Sequence, residues 1–209
     1  MFIVNYKAYK EGIDFGTEIA KYLKQKIRDS YVAPPLSLLS EISKIIDVIA
    51  QHTDPIEPGA STGFISYYEI KKAGAIGSLI NHSEHRLKQN EIEKVVEILK
   101  KNDLKTIVCV RNLKEAEKMV NLNPFGIAYE PPELIGGNIS VSSSKGEIVK
   151  KFVNIVKSKG EIIPIIGAGI KSSEDIKKGR EEGAEGFLVA SGVVNEKFKE
   201  SLDEFARAF

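Results

Sequence analysis

The feature that most constrains the fold is the regular alternation of short apolar runs with longer amphipathic segments. Eight runs of three to six residues are spaced along the chain, and each is predicted to form a strand. Most are apolar at every position, which is typical of parallel strands covered on both faces. The predicted strands are residues 2–4, 31–33, 47–50, 75–80, 106–110, 125–128, 162–166 and 187–190.

Between these runs, apolar side chains recur at the spacing of an amphipathic helix. Residues 15–27 carry such a stripe, and capping boxes predict two more helix starts, one at Asn90 with Glu93 and one at Asn112 with Glu115. The other predicted helices are residues 36–46, 66–73, 145–157, 173–182 and 195–208.

Eight strands that alternate with helices favour a closed (β/α)8 barrel over an open doubly wound sheet. A barrel of this kind usually has about 250 residues. Because the chain has 209 residues, some of its helices must be shortened. No Pro-, Gly- or Ser-rich linker divides the sequence, so residues 1–209 are predicted to form one domain.

Composition excludes several classes of protein. Thirty basic and 29 acidic residues leave a net charge of +1, which argues against a general nucleic-acid binder or a polybasic membrane protein. Cys109 is the only cysteine, so neither an internal disulfide nor a cysteine-rich zinc site is possible. No apolar stretch approaches the ~18 residues of a membrane helix, and the first apolar segment is too short for a secretory signal. We expect a cytoplasmic location.

Polar residues that suit proton-transfer chemistry follow three of the predicted strands. Residues 5–7 (Asn-Tyr-Lys) follow the first strand, residues 81–86 (Asn-His-Ser-Glu-His-Arg) the fourth, and Glu130 the sixth. In a (β/α)8 barrel, the loops after the carboxyl ends of the strands carry the reacting groups. A cation, an imidazole and a carboxylate on one rim suit proton abstraction next to a carbonyl group.

Small residues follow the last two strands, with the sequences Gly-Ala-Gly at 167–169 and Ala-Ser-Gly at 190–192. Such residues let backbone N–H groups approach an anion, helped by the N-terminus of a short helix. The pattern alone is common to many phosphate-binding barrels. With the polar rim, it predicts a small phosphorylated substrate.

Three motifs in this order resemble triosephosphate isomerase: Asn-x-Lys at 5–7, His-Ser-Glu at 82–84 and Ala-Tyr-Glu-Pro at 128–131. The resemblance extends along nearly the whole chain. The short length and the variants Glu-Pro-Pro-Glu-Leu-Ile and Gly-Ala-Gly-Ile are similar to a compact archaeal branch of the family. Chains of that branch commonly form tetramers, and other members form dimers.

The resemblance implies a TIM barrel that interconverts dihydroxyacetone phosphate and D-glyceraldehyde 3-phosphate through an enediol(ate), in glycolysis and gluconeogenesis. Glu130 would be the base, His82 a neutral imidazole that polarises the carbonyl, and Lys7 the cation that faces the developing charge. Lys7 would also bind the substrate. The other implied substrate-binding residues are Asn5, Tyr6, Ile135, Gly137, Gly169, Ala190 and Ser191.

Further implications concern the surroundings of this site. Glu84 would support the polar rim, and residues 131–138 would form a lid that excludes water. Thr62 matches a residue on a loop that enters the neighbouring subunit, which implies a homo-oligomer, a tetramer in preference to a dimer. The resemblance implies no metal or organic cofactor.

Some readings stay open at this point. The family more often has Gly-Gly-Ser at 167–169 and Gly-Gly at 190–191, so we expect relocated phosphate contacts. From residue type alone, Tyr6 and Cys109 are packing residues, and His52 and His85 are structural or surface groups. Another phosphate-binding barrel enzyme, such as a phosphosugar epimerase or a thiamine-phosphate-synthase-like enzyme, is one alternative. A catalytically dead phosphate-binding scaffold is another.

Overall fold

The structure, a computed structural model, describes residues 1–131 and 146–209. Eight parallel strands form a closed barrel in chain order, with the last strand next to the first. This confirms the predicted (β/α)8 fold, and each predicted strand end lies within one residue of the observed one. The strands are β1 (Phe2–Asn5), β2 (Ser30–Ala33), β3 (Val48–Ala50), β4 (Ala75–Ile80), β5 (Lys105–Val110), β6 (Gly126–Tyr129), β7 (Ile163–Ile166) and β8 (Gly186–Val189).

The helices cover the outside of the barrel and are short between β2 and β4, where the sequence left little room. The described helices are α1 (Lys10–Asp14), α2 (Gly16–Lys26), α3 (Leu36–Ile42), α4 (Tyr67–Lys72), α5 (Gln89–Lys101), α6 (Leu113–Met119), α7 (Gly146–Lys157), α8 (Ser173–Glu181) and α9 (Phe198–Ala206). A 3-10 turn, Val120–Leu122, extends α6. Within the described ranges, no helix is long and apolar enough to cross a membrane.

One of the two predicted capping boxes is wrong. Helix α5 begins at Gln89, and the carboxylate of Glu91 accepts a hydrogen bond of 2.7 Å from the N–H of Lys88. Glu91, two residues before Glu93, therefore has the capping role that was predicted for Glu93. At α6, Asn112 caps the N–H of Glu115 as predicted, at 2.8 Å, but the carboxylate of Glu115 accepts from the N–H of Arg111 at 3.0 Å, so this box forms only in part.

The protein has two apolar cores, one inside the barrel and one between the barrel and its helices. The alternation of side chains along each strand separates them. Outward strand residues such as Val4 pack against the helices. Inward residues fill the barrel itself with one apolar cluster, which consists of Ile3, Ala33, Ile49, Leu79, Ile107, Cys109, Ala128, Ile165 and Leu188.

This alternation also places the polar residues. The residue two positions after an inward apolar residue lies on the same side, at the carboxyl-end rim. Asn5 follows Ile3 in this way, and Glu130 follows Ala128. The apolar filling beneath them leaves the rim as the place where polar side chains converge.

Candidate active site

A cavity of about 520 Å³ opens at the carboxyl ends of the strands. It brings together segments that are far apart in the sequence, from the loops after β1, β4, β6, β7 and β8. The predicted site residues that line it are Asn5, Lys7, His82, Glu84, Glu130, Gly169, Ala190 and Ser191.

Glu130 is almost completely buried at the floor of this cavity, with 2 % of its surface exposed. Its N–H donates to the carbonyl of Val110 at 2.7 Å, which fixes the backbone at the end of β6. One carboxylate oxygen, Oε2, accepts from the N–H of Ser83 at 3.0 Å. The other, Oε1, lies 3.1 Å from Nε2 of His82 and makes no hydrogen bond of full geometry with any described residue. One oxygen is therefore anchored, and the other is available for a proton.

His82 is held in one tautomer by its own loop. The N–H of Glu84 donates to Nδ1 of the imidazole at 3.2 Å. A nitrogen that accepts a hydrogen bond cannot carry the proton of a neutral imidazole, so that proton lies on Nε2. The N–H edge of the ring therefore faces the cavity and Glu130.

Lys7 has a left-handed backbone, with φ of +47°, a conformation that costs an L-residue about 1–2 kcal/mol. Two neighbours hold it there. Its N–H donates to the Asn5 side chain at 2.9 Å, and its carbonyl accepts from the Gln51 side chain at 2.9 Å. Its ammonium group forms an ion pair of 2.6 Å with Glu84 at the rim of the cavity.

Gln51 was not predicted as a site residue. Its side-chain amide also donates to the carbonyl of Ala33 at 2.9 Å, so it joins the ends of three strands. The available signal was its place two residues after the inward Ile49. Tyr9 and Lys171 also line the cavity and were not predicted.

The opposite wall of the cavity is built from small residues. Gly167 donates its N–H to the carbonyl of Tyr129 at 2.9 Å, and Gly169 has φ of +75°. After β8, the carbonyl of Ala190 accepts from the N–H groups of Val193 and Val194, both at 2.9 Å. The turn resembles the start of a helix, where the first N–H groups precede any backbone acceptor and can bind an anion.

The prediction that Tyr6 contacts substrate is wrong. Tyr6 is fully buried in the outer core, and its hydroxyl donates to the carbonyl of Gly16 at 2.8 Å. Because Asn5 points inward, alternation turns the next side chain away from the cavity. Burial, with a smaller contribution from Glu18, raises the pKa of the Tyr6 phenol. Tyr6 is a packing residue.

Thr62 lies on the exposed loop between β3 and α4 and does not line the cavity of its own chain. Ile135, Gly137 and the predicted lid beyond Pro131 lie outside the described residues. Among the residues that the structure describes, no group of three or more His, Cys, Asp or Glu side chains could hold a metal ion.

His52 and His85 form a stacked pair beside the site, with ring centroids 4.0 Å apart and planes at 17°. Nε2 of His52 lies 3.1 Å from a carboxylate oxygen of Asp54, whose other oxygen accepts from the N–H of Ile65 at 2.7 Å. Burial lowers the pKa of His52, and the nearby His85 lowers it further, against the opposing effect of Asp54. The pair links the loop after β3 to the loop that carries His82.

Comparison with known proteins agrees with this geometry. The sequence model of the triosephosphate isomerase family matches residues 1–205. The triosephosphate isomerase of Methanothermus fervidus is 42 % identical, over 98 % of this chain and 96 % of its own. That of Archaeoglobus fulgidus is 43 % identical, over 97 % and 95 % of the two chains. That of Saccharolobus solfataricus is 37 % identical, over 98 % and 93 %. The chain is thus an isomerase that belongs to the triosephosphate isomerase family.

Proposed function

We propose that Glu130, His82 and Lys7 perform the proton transfers by which this isomerase interconverts dihydroxyacetone phosphate and D-glyceraldehyde 3-phosphate. These are the roles of base, neutral imidazole and cation that are known for the family. The observation that carries the proposal is the 3.1 Å approach of Nε2 of His82 to Oε1 of Glu130 across one cavity.

Glu130 removes a proton from one substrate carbon and returns it to the neighbouring carbon. Its burial at the floor of the cavity supports this role because bulk water cannot compete with the substrate for the carboxylate. The N–H of Ser83 holds Oε2, so the proton goes to Oε1. No redox cofactor is needed, since the electron pair of the broken C–H bond forms the enediolate and then the new C–H bond.

His82 and Lys7 stabilise the oxygen charge that develops in this step. The Nε2–H of His82 donates to the substrate carbonyl and relays protons between the two oxygens of the enediolate. The ammonium group of Lys7 supplies positive charge on the same rim, and Asn5 holds the substrate oxygen. Preorganised donors of this kind stabilise charge without rearranging during the reaction.

The phosphate group occupies the opposite wall. Small residues there, including Gly169, Ala190 and Ser191, leave room for backbone N–H groups to contact it. Lys171 lines the same wall and adds a cation. The lid predicted for residues 131–138, with Ile135 and Gly137, would complete the phosphate contacts and exclude water during the reaction.

The two alternatives from the sequence fit the chain less well. An epimerase or a thiamine-phosphate-synthase-like barrel does not require Asn5, Lys7, His82 and Glu130 together. The match of residues 1–205 to the isomerase family also favours the isomerase. A catalytically dead scaffold would not need a buried base beside an oriented imidazole.

The proposal includes a cytoplasmic homo-oligomer, a tetramer in preference to a dimer. Thr62 lies on an exposed loop together with Phe64, which has 54 % of its surface exposed. A large apolar side chain at a loop tip supports burial of that loop in a neighbouring subunit, where Thr62 would brace the second active site. Light scattering across a dilution series distinguishes tetramer, dimer and monomer.

The test of the proposed roles is a coupled assay with both triose phosphates as substrates. The native chain should turn over both, without added metal. Glu130→Gln keeps the size of the side chain but removes the base, so turnover should fall by about 10²–10⁴-fold. Unchanged turnover in this variant would exclude Glu130 as the base. Turnover that requires a divalent metal would favour the alternative barrel enzymes.

A further inference from the structure

Asn81 is the residue between β4 and the imidazole of His82, and its backbone is left-handed, with φ of +61°. It is 2 % exposed, so its side-chain amide is buried with it. Asparagine adopts this conformation more readily than other residues with a side chain. Glycine would adopt it more easily still, so the conformation alone does not explain an amide here.

The amide makes two hydrogen bonds in opposite directions. Its Nδ2 donates to the carbonyl of Cys109 on β5 at 2.8 Å, and its Oδ1 accepts from the N–H of Leu87 at 3.0 Å. The first bond joins the turn to the barrel, and the second closes residues 81–87 into a ring. Aspartate could accept from Leu87 but could not donate to Cys109, and glycine could do neither.

The backbone of Asn81 is fixed as well. Arg86 donates to its carbonyl at 3.2 Å, while the same guanidinium makes two bonds of 2.7 Å to the carboxylate of Glu115. Burial would raise the pKa of Glu115, but Arg86 and Arg111 outweigh it and keep the pKa below its usual value. The turn is therefore tied to β5 through the side chain of Asn81 and to the start of α6 through Arg86.

The ring formed by residues 81–87 contains the contacts that orient both catalytic groups. Within it, the N–H of Glu84 donates to Nδ1 of His82, and the N–H of Ser83 donates to Oε2 of Glu130. On the other side of the Asn81 bond, burial and the nearby Glu130 carboxylate raise the pKa of the Cys109 thiol. Asn81 therefore bonds to Cys109, which belongs to the apolar filling beneath the rim. It is followed directly by His82, which faces Glu130.

We propose that Asn81 is a positioning residue, whose amide holds the turn 81–87 so that Nε2 of His82 faces the substrate and Glu130. This rests on the proposed roles of those two residues. Asn81 does not touch the reacting atoms, so its effect must pass through the two groups that the turn orients, His82 and Glu130. Misplacement of a catalytic group by about 1 Å can reduce a rate by about 10²-fold.

The first test replaces Asn81 by glycine, which keeps the left-handed backbone and removes both amide bonds. We expect Asn81→Gly to lower kcat by about 10–100-fold and to change KM by less than about threefold. Asn81→Asp, which keeps the bond from Leu87, should lower kcat in the same direction. The matched control is Asn123→Gly, at a left-handed asparagine that does not line the cavity, with φ of +49°. Its kcat should not change.

A double-mutant cycle separates positioning from a general structural role. Because Asn81 acts in part through His82, Asn81→Gly should lower kcat by a smaller factor in a His82→Gln background than in the native chain. An equal loss in both backgrounds would overturn the proposal, as would native kcat in a folded Asn81→Gly or Asn81→Asp variant. If His82→Gln alone leaves kcat unchanged, the proposed role of His82 has failed, which is a different result.

Discussion

Gly167 lies so close to Glu130 that a Cβ added at residue 167 would be 2.8 Å from Cγ of the glutamate. The same Cβ would lie 3.3 Å from the carbonyl of Tyr129. The structure therefore requires glycine here for space beside the base. Phosphate binding by residues 167–169 would depend on their backbone N–H groups, which is a separate property from the space that Gly167 leaves for Glu130.

We predict that Gly167→Ala lowers kcat by about 10–100-fold, because the carboxyl group must move by several tenths of an ångström or more from its productive position. The two-stage measurement is steady-state kinetics with both substrates, followed by thermal unfolding. Gly59→Ala is the control for unfolding, since the described residues leave open space around a Cβ at that position. Native kcat in Gly167→Ala would mean that Glu130 has room to adjust.

Gln51 should matter for both stability and catalysis. Gln51→Ala removes the donor to the carbonyls of Lys7 and Ala33, although the carbonyl of Ala33 keeps its bond of 3.0 Å from the N–H of Tyr6. The loss of a hydrogen bond of this kind costs about 0.5–1.5 kcal/mol. We expect a loss of that size in the free energy of unfolding and a several-fold rise in KM, because the left-handed backbone of Lys7 loses one of its two supports.

The matched control for Gln51 is Gln89→Ala. The Gln89 side chain donates to Glu93 at 2.8 Å on the exposed face of α5. Such a pair contributes about 0.2–0.5 kcal/mol. Equal losses of stability in the two variants would contradict the role assigned to Gln51.

The stacked histidines make stability depend on pH. The pKa of His52 is lowered in the native state by burial and by His85. The unfolded state therefore binds a proton at His52 more readily than the native state does. The contribution of His52 to stability is complete above the unfolded pKa of about 6.5 and is lost as pH falls below that value. The limiting slope for one proton is about 1.4 kcal/mol per pH unit.

Urea unfolding of the native chain and of His52→Gln at pH 7.5 and pH 5.5 measures this difference. The native chain should lose more stability between the two values than the variant does. Identical losses would show that His52 does not contribute to the acid sensitivity. His85→Gln should also reduce the loss, because His85 is part of the reason that the pKa of His52 is low.

The sequence predicts the barrel and most of the rim because both follow from local patterns. Apolar runs locate the strands within one residue, and alternation along a strand places Asn5 and Glu130 on the inner side. The same rule would have separated Tyr6 from the cavity and pointed to Gln51. The family motif at residues 5–7 implied a substrate contact for Tyr6, whereas its residue type predicts the packing role that its burial shows.

Contacts between distant parts of the chain are a different matter. The bond from the N–H of Ser83 to Glu130 joins residues that are 47 positions apart. The tautomer of His82 depends on the N–H of Glu84, in the turn that begins with the left-handed Asn81. Residue type favours a left-handed backbone at Asn81 only weakly, and it gives no sign of the φ of +47° at Lys7. These features depend on how the loops close over a finished barrel.

Thr53 provides a test of the packing around this rim. It is fully buried, and its hydroxyl has no hydrogen-bond partner among the residues that the structure describes. A buried hydroxyl without a partner destabilises the native state by about 1–3 kcal/mol. Thr53→Val removes that group with little change of shape, so we expect the free energy of unfolding to rise by about 1 kcal/mol.

Ser78→Ala is the opposite case, since its buried hydroxyl donates to the carbonyl of Leu79 at 2.8 Å. That substitution removes a satisfied bond and should lower the free energy of unfolding by about 0.5–1.5 kcal/mol. Chemical denaturation of both variants at pH 7.5 measures the two changes. A loss of stability in Thr53→Val would show that the hydroxyl of Thr53 makes a hydrogen bond in solution, because removal of a hydroxyl lowers stability when a hydrogen bond is lost with it.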